Sequence, residues 1–152
     1  MRVVNIADPE LTYDPEDPER FRSGVHRLGL AAGARETGAS VYALAPGVAI
    51  CPYHYEQAEE EWLLVLIGRP TLRHPQGERE LRESDVVCFP AGPEHAHLVR
   101  NDTPNPVRVL MFSTVRFPAV TVYPDSDKIG VFTREEELLV HRSSGVGYYS
   151  GE

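Results

Sequence analysis

The sequence predicts an all-β chain folded as a sandwich or barrel, on three observations. Thirteen prolines and twelve glycines cut the 152 residues into short pieces. Those pieces are apolar runs of strand length at fairly even spacing, the pattern of sandwiches and barrels. Only REEELLVHR, near the C-terminus, reads as a short helical turn.

The elements follow in order. RVVNI opens the chain as a candidate strand. DPELTYDPEDPER comes next, with three prolines and six acidic residues, and reads as a solvated loop. Candidate strands then run GVHRLGLAA, ASVYALAPG, VAICPYHYE, EEWLLVLIG, PTLRHP, ERELRE, DVVCFP, HAHLVRN, PVRVLMFST and PAVTVY. APG, HPQG, PAGP and NDTPNP supply turns between them. No internal repeat and no low-complexity segment is present.

The length fits one domain. Such a chain buries about 70% of its unfolded surface, enough for a core. Fifteen basic against 23 acidic residues give a net charge of −8, which argues against nucleic acid or an anionic membrane as partner. MRVVNIADPE carries no apolar run of signal-peptide type, and no stretch approaches the ~20 residues of a membrane span. The expectation is a soluble, cytoplasmic protein. Cys51 and Cys88 are expected as free thiols.

Side chains two apart share a face of a strand. Ile50, Pro52, His54 and Glu56 therefore point one way. Glu61, Leu63, Val65 and Ile67 share a face, as do His95, His97 and Val99. Each face mixes apolar residues with a polar cluster at one end, as at a barrel mouth. In EWLLVLIG the opposite face, with Trp62, Leu64 and Leu66, is apolar too. A water-facing side would alternate, so something covers it. The chain termini or a second subunit are the choices, and a homodimer is expected.

PYHYEQAEEEW (52–62) sets one histidine and four glutamates beside such strands. Burying an unpaired carboxylate costs several kcal/mol, against a total stability of about 5–15 kcal/mol. The carboxylates must be exposed, paired, protonated or bound to a cation. A divalent metal between two carboxylates and two neutral imidazoles brings the charge to zero. That donor set suits Fe²⁺, Mn²⁺, Ni²⁺ or Zn²⁺ better than Mg²⁺ or Ca²⁺. Glu59 and Glu60 are expected in solvent. His26, His74 and His141 are isolated, whereas His95 and His97 follow PAGP directly after a buried strand.

Two motifs in these segments resemble those of the cupin superfamily. The first runs Gly, His-x-His, four residues, Glu, six residues, Gly. Here it reads Gly47, His54-Tyr55-Glu56, QAEE, Glu61, WLLVLI, Gly68. Glu56 replaces the second histidine, and the gap from Gly47 is one residue longer. The second runs Gly, five residues, Pro-x-Gly, a short gap, His, three residues, Asn. Here it reads Ser84, DVVCF, Pro90-Ala91-Gly92, PEHA, His97, LVR, Asn101. Ser84 replaces the leading glycine, and the gap before His97 is four residues rather than two. His97, not His95, has the right distance to Asn101.

The resemblance spans about residues 40–115. It implies a single-domain double-stranded β-helix, a jelly-roll barrel, with a core over 40–115. Residues 1–39 would form an arm and first strands packed on it, and 116–152 C-terminal strands and a tail. It implies one divalent transition metal held by His54, Glu56, Glu61 and His97, with His95 nearby as a pocket group or, in place of His97, the ligand itself. Glu56 either ligates or points away and leaves three ligands. Three functions follow: a metal-dependent enzyme of dioxygenase or isomerase type on a small oxygenated molecule, a non-catalytic sugar or small-molecule binding module, or a dimeric barrel with a vestigial pocket.

Overall fold

The computed structural model describes residues 1–152. Twelve strands and one short helix follow in order: β1 Gly24–His26, α1 Leu28–Ala32, β2 Thr37–Leu44, β3 Tyr55–Glu56, β4 Glu61–Ile67, β5 Thr71–His74, β6 Gly77–Glu80, β7 Val86–Phe89, β8 Leu98–Arg100, β9 Val107–Thr114, β10 Ala119–Tyr123, β11 Lys128–Phe132 and β12 Glu137–His141. They form three antiparallel sheets, in the orders β1-β2-β9-β4-β7, β12-β11-β10-β3 and β6-β5-β8.

The core lies between the first and third sheets. Leu44, Leu63, Val65, Val107 and Val109 come from the first, Leu72 and Val99 from the third, and Phe89 closes one end. Leu63 and Val109 have no exposed surface, so truncating either to alanine would cost about 2–5 kcal/mol. Two curved sheets around one such core make a small jelly-roll barrel. No helix is long and apolar enough to cross a membrane.

Several segments differ from the sequence-based expectation, among them Lys128–Phe132, a strand outside the expected runs that pairs with β10. RVVNI forms no strand, because Thr12 takes the free edge of β1 by exchanging two backbone hydrogen bonds with Val25. GVHRLGLAA divides after His26. Its LGLAA half is rich in helix formers, and Gly33 ends the turn in the left-handed conformation, donating to the carbonyls of Gly29 and Leu30. VAICPYHYE is strand only at Tyr55–Glu56, and the rest makes single bridges, Ala49 to Arg100 of β8 and His54 to His97 just before it, on either side of Pro52, which has no N–H to give. REEELLVHR is not helical: Glu137–His141 pairs along all of β11. A helix of that length is marginal in water, whereas the hairpin satisfies its backbone.

The outer face of the first sheet is only partly covered. Gly29 of α1 lies against the backbone of β2, and Arg108 donates to the Ala7 carbonyl at 3.0 Å, so the N-terminal arm crosses one side. On the other side Trp62 and Phe112 stack with centroids 6.0 Å apart, and Phe112 and Val86 stay exposed.

Candidate metal centre

Glu61 begins β4. Alternation places it on the face of Leu63 and Val65, so its carboxylate enters the barrel at one end of the core. His54 and His97 reach the same point from two loops. They form an isolated antiparallel bridge, in which His54 N donates to His97 O at 3.1 Å and His97 N to His54 O at 2.8 Å. Directly opposed residues put their side chains on one face. The two rings stand 4.6 Å apart, and the His97 ring stacks on Phe89 at 3.7 Å.

Each ring is oriented from behind. His54 Nδ1 lies 3.0 Å from the Pro52 carbonyl and His97 Nδ1 lies 3.1 Å from the His95 carbonyl. A carbonyl only accepts, so Nδ1 carries the hydrogen in both rings. In the neutral rings Nε2 is then a bare lone pair. Both Nε2 atoms lie 3.5 Å from the same oxygen, Glu61 Oε2. His97 Nε2 and Glu61 Oε2 are buried with no hydrogen-bond partner.

Three acceptors aimed at one another repel unless a proton or a cation sits among them. One ligand atom each from His54, Glu61 and His97 lies within 4.8 Å of the others, so a single ion can bridge all three. The donor set of two imidazoles and a carboxylate fits a divalent transition metal.

Without a cation, the titrations show the same crowding. Burial disfavours the His97 cation, the His54 charge adds to this, and its pKa falls to about 4. Burial also pulls against the His54 cation, but Cys51 and Glu61 outweigh it and hold that ring well above its ordinary value. Burial works to raise Glu61, yet the two histidines carry it below the usual carboxylate range. A proton on His54 thus does part of a metal's work.

Glu56 stands at the edge of this group. It lies on β3, with Oε1 3.9 Å from His54 Nε2. Thr121 Oγ1 lies 2.8 and 3.0 Å from its two oxygens and donates to the carboxylate. Burial pushes the Glu56 carboxyl up to about 7, the Thr121 hydrogen bond opposes this, and the Glu61 charge adds to it.

His95 turns outward towards Glu94 and gives the site only its backbone carbonyl. Glu59 is half-buried rather than solvated, accepting from the Arg116 N–H at 2.7 Å, and Glu60 accepts from the Trp62 indole at 2.9 Å. A cavity of about 190 Å³ opens beside the cluster, walled by Tyr42, Cys51, Val99 and Met111. Thr121, Tyr42 and Met111 were not singled out from sequence. They come from distant strands, and only the alternation of ASVYALAPG, PVRVLMFST and PAVTVY hinted at their facing.

Comparison with known proteins agrees with this architecture. Residues 40–113 match the family model described as Cupin domain. A sugar phosphate isomerase of the cupin superfamily from Silicibacter pomeroyi is 24% identical, with 97% of each chain covered and a TM-score of 0.83. A candidate sugar phosphate isomerase from Acidithiobacillus ferrooxidans is also 24% identical, with 95% of each chain covered and a TM-score of 0.83. A Cupin 2 conserved barrel domain protein from Salinispora arenicola is 23% identical over 76% of this chain and 87% of its own, with a TM-score of 0.56. No curated protein matches the chain in sequence.

Proposed function

We propose that this chain, which belongs to the cupin superfamily through the cupin domain at residues 40–113, is a metal-dependent isomerase of a small oxygenated molecule. The observation that carries the proposal is the convergence of His54 Nε2 and His97 Nε2 on Glu61 Oε2, two of these three atoms being buried without partners. The full-length likeness to two proteins described as sugar phosphate isomerases favours isomerisation over oxygen chemistry.

His54, Glu61 and His97 would hold the metal, with the Pro52 and His95 carbonyls fixing the two rings. When bound, a divalent ion there supplies a Lewis acid that polarises a substrate carbonyl. The chain's own part is proton handling. Isomerising a hydroxy-carbonyl pair moves a proton between neighbouring carbons, which calls for a group that titrates near neutrality. Glu56 is placed for this beside His54, with Thr121 orienting its carboxylate; in the metal-free fold burial raises that carboxyl to about 7, and a bound cation would bring it lower. Expected from sequence as a fourth ligand, Glu56 is assigned here to carry the proton beside the metal. Tyr42 and Met111 wall the space where a small substrate would lie.

The same reading includes a homodimer, with the Trp62–Phe112 patch as the covered face. Light scattering on the purified protein tests that part.

Solvent-exchange NMR tests the activity. Aldose and ketose phosphates in D₂O, with the metal-loaded protein, should incorporate deuterium at the carbon next to the carbonyl. Glu56→Gln should keep its metal and lose the exchange. Metal loss in Glu56→Gln would make Glu56 a ligand and overturn its assignment as proton carrier. Absence of exchange across the series, with sugar-induced thermal shifts, would favour a binding module.

A further inference from the structure

A second concavity, of about 720 Å³, is walled in part by Arg27, Arg35 and Arg134. Arg69, Arg73, Arg82 and Arg100 each pair with a carboxylate. The three cleft arginines, like seven others of the chain, make no such pair, and here three line one concavity with a single carboxylate. Arg134 stacks over the Phe117 ring at 4.6 Å, which fixes its position on the wall. Glu36 is the one carboxylate lining the cleft. Three guanidinium groups against one carboxylate leave a local excess of about two positive charges, in a chain whose net charge is −8.

The cleft wraps the start of β2, lined by Thr37 and Ala39 on the face that α1 covers and by Gly38 and Ser40 on the face that carries the metal cavity. Gly38 and Ser40 line the cleft, and Tyr42, next on the same face of β2, lines the metal cavity. Gly38 is the register partner of Ser113, and Ser113 that of Glu61. Gly38 and Glu61 are therefore two strand spacings apart, about 10 Å. Arg27 is close enough for its charge to act on the Tyr42 phenol, against the burial that raises that group.

We infer that the Arg27–Arg35–Arg134 cleft binds the phosphate monoester of a substrate whose carbonyl end lies at His54, Glu61 and His97. The inference rests on the proposed function and narrows its substrate class. A phosphate dianion matches the excess charge better than a carboxylate does. Guanidinium forks suit its oxygens, and the offset between the sites suits a short phosphorylated chain.

Titration calorimetry tests this with ribose 5-phosphate, ribose and inorganic phosphate. Ribose 5-phosphate should bind at least about tenfold more tightly than ribose. The triple variant Arg27→Gln, Arg35→Gln, Arg134→Gln should lose that difference and keep its melting temperature. Glu61→Gln tests the cleft apart from the metal. It should still bind inorganic phosphate, so binding that survives in a metal-free protein supports the cleft even where the metal reading fails. Equal affinity for ribose and ribose 5-phosphate would overturn the inference. So would phosphate binding lost in Glu61→Gln and kept in the triple variant, because the anion would then sit on the metal.

Discussion

His54 and His97 are locked to each other before any ligand arrives. Their backbones exchange two hydrogen bonds, at 3.1 and 2.8 Å, and their rings face one side of that bridge. Two loops far apart in sequence are thereby joined at the residues whose imidazoles converge on Glu61. Preformed donors of this kind reduce the ordering that ion binding must overcome.

Metal affinity should fall with acid. His54 is held above the ordinary histidine value by Cys51 and Glu61 against the pull of burial, so a proton competes for its Nε2. Ligands bind metal deprotonated, so each displaced proton weakens binding roughly tenfold per pH unit below the titration. Competition titration with a chromogenic chelator should show weaker binding at pH 5 than at pH 8. A flat profile would exclude these groups as ligands.

Glu56 should leave a mark on the stability of the metal-free protein. Burial raises its carboxyl to about 7 in the fold, well above the usual glutamate range. The native state therefore holds the proton more tightly. The stability this gives is full below the unfolded value and is lost as pH rises through about 7. Glu56→Gln stays neutral and still accepts from Thr121. In urea melts it should match the parent near pH 4.5 and exceed it at pH 8 by about 3 kcal/mol. An equal difference at both pH values would contradict the burial of this carboxyl.

Asn101 is fully buried and uses its whole amide. Nδ2 donates to the carbonyls of Leu44 and Asn105, while Oδ1 accepts from the Thr103 N–H and hydroxyl. Asn101→Ala should cost about 1–3 kcal/mol, since it strands the buried Leu44 carbonyl, while the Asn105 carbonyl keeps the Thr103 hydroxyl as donor. Asn101→Asp should not restore the loss, because a carboxylate has no hydrogen to give them. Full stability of the aspartate variant in thermal melts would refute this account.

Two positions with positive φ should respond in opposite directions. Gly68 has φ +83, and an added Cβ would lie 2.8 Å from the Pro106 carbonyl oxygen. Gly68→Ala should lose about 1–3 kcal/mol. Ser84 occupies the same kind of backbone at φ 73 with a side chain attached. Ser84→Gly should gain about 1 kcal/mol, offset partly by a freer unfolded chain. A higher melting point for Gly68→Ala, or a lower one for Ser84→Gly, would count against both arguments.

The strands and the convergence of His54, Glu61 and His97 were legible because both rest on local spacing. A period of two put Glu61 on the face of Leu63 and Val65, and motif spacing separated His97 from His95. Glu137–His141 was misread because its acidic lead and apolar centre suit a helical turn as well as a strand. The partner β11 decides the matter, and pairing is not written in the segment itself. Thr121 and Arg134 were invisible for a related reason. Thr121 meets Glu56 through the register of β10 on β3, Arg134 reaches the cleft from the turn between β11 and β12, and nothing adjacent in the chain marks them.

The central claim is that one ion joins His54, Glu61 and His97. Elemental analysis of protein purified without a histidine tag tests it most directly, alongside Glu61→Gln, His97→Ala and the exposed control His141→Ala. The expected result is close to one transition-metal ion per chain in the parent and in His141→Ala, and almost none in the other two. Parent protein without metal, whose melting temperature stays unmoved by added Mn²⁺, Fe²⁺, Ni²⁺ or Zn²⁺, would contradict it.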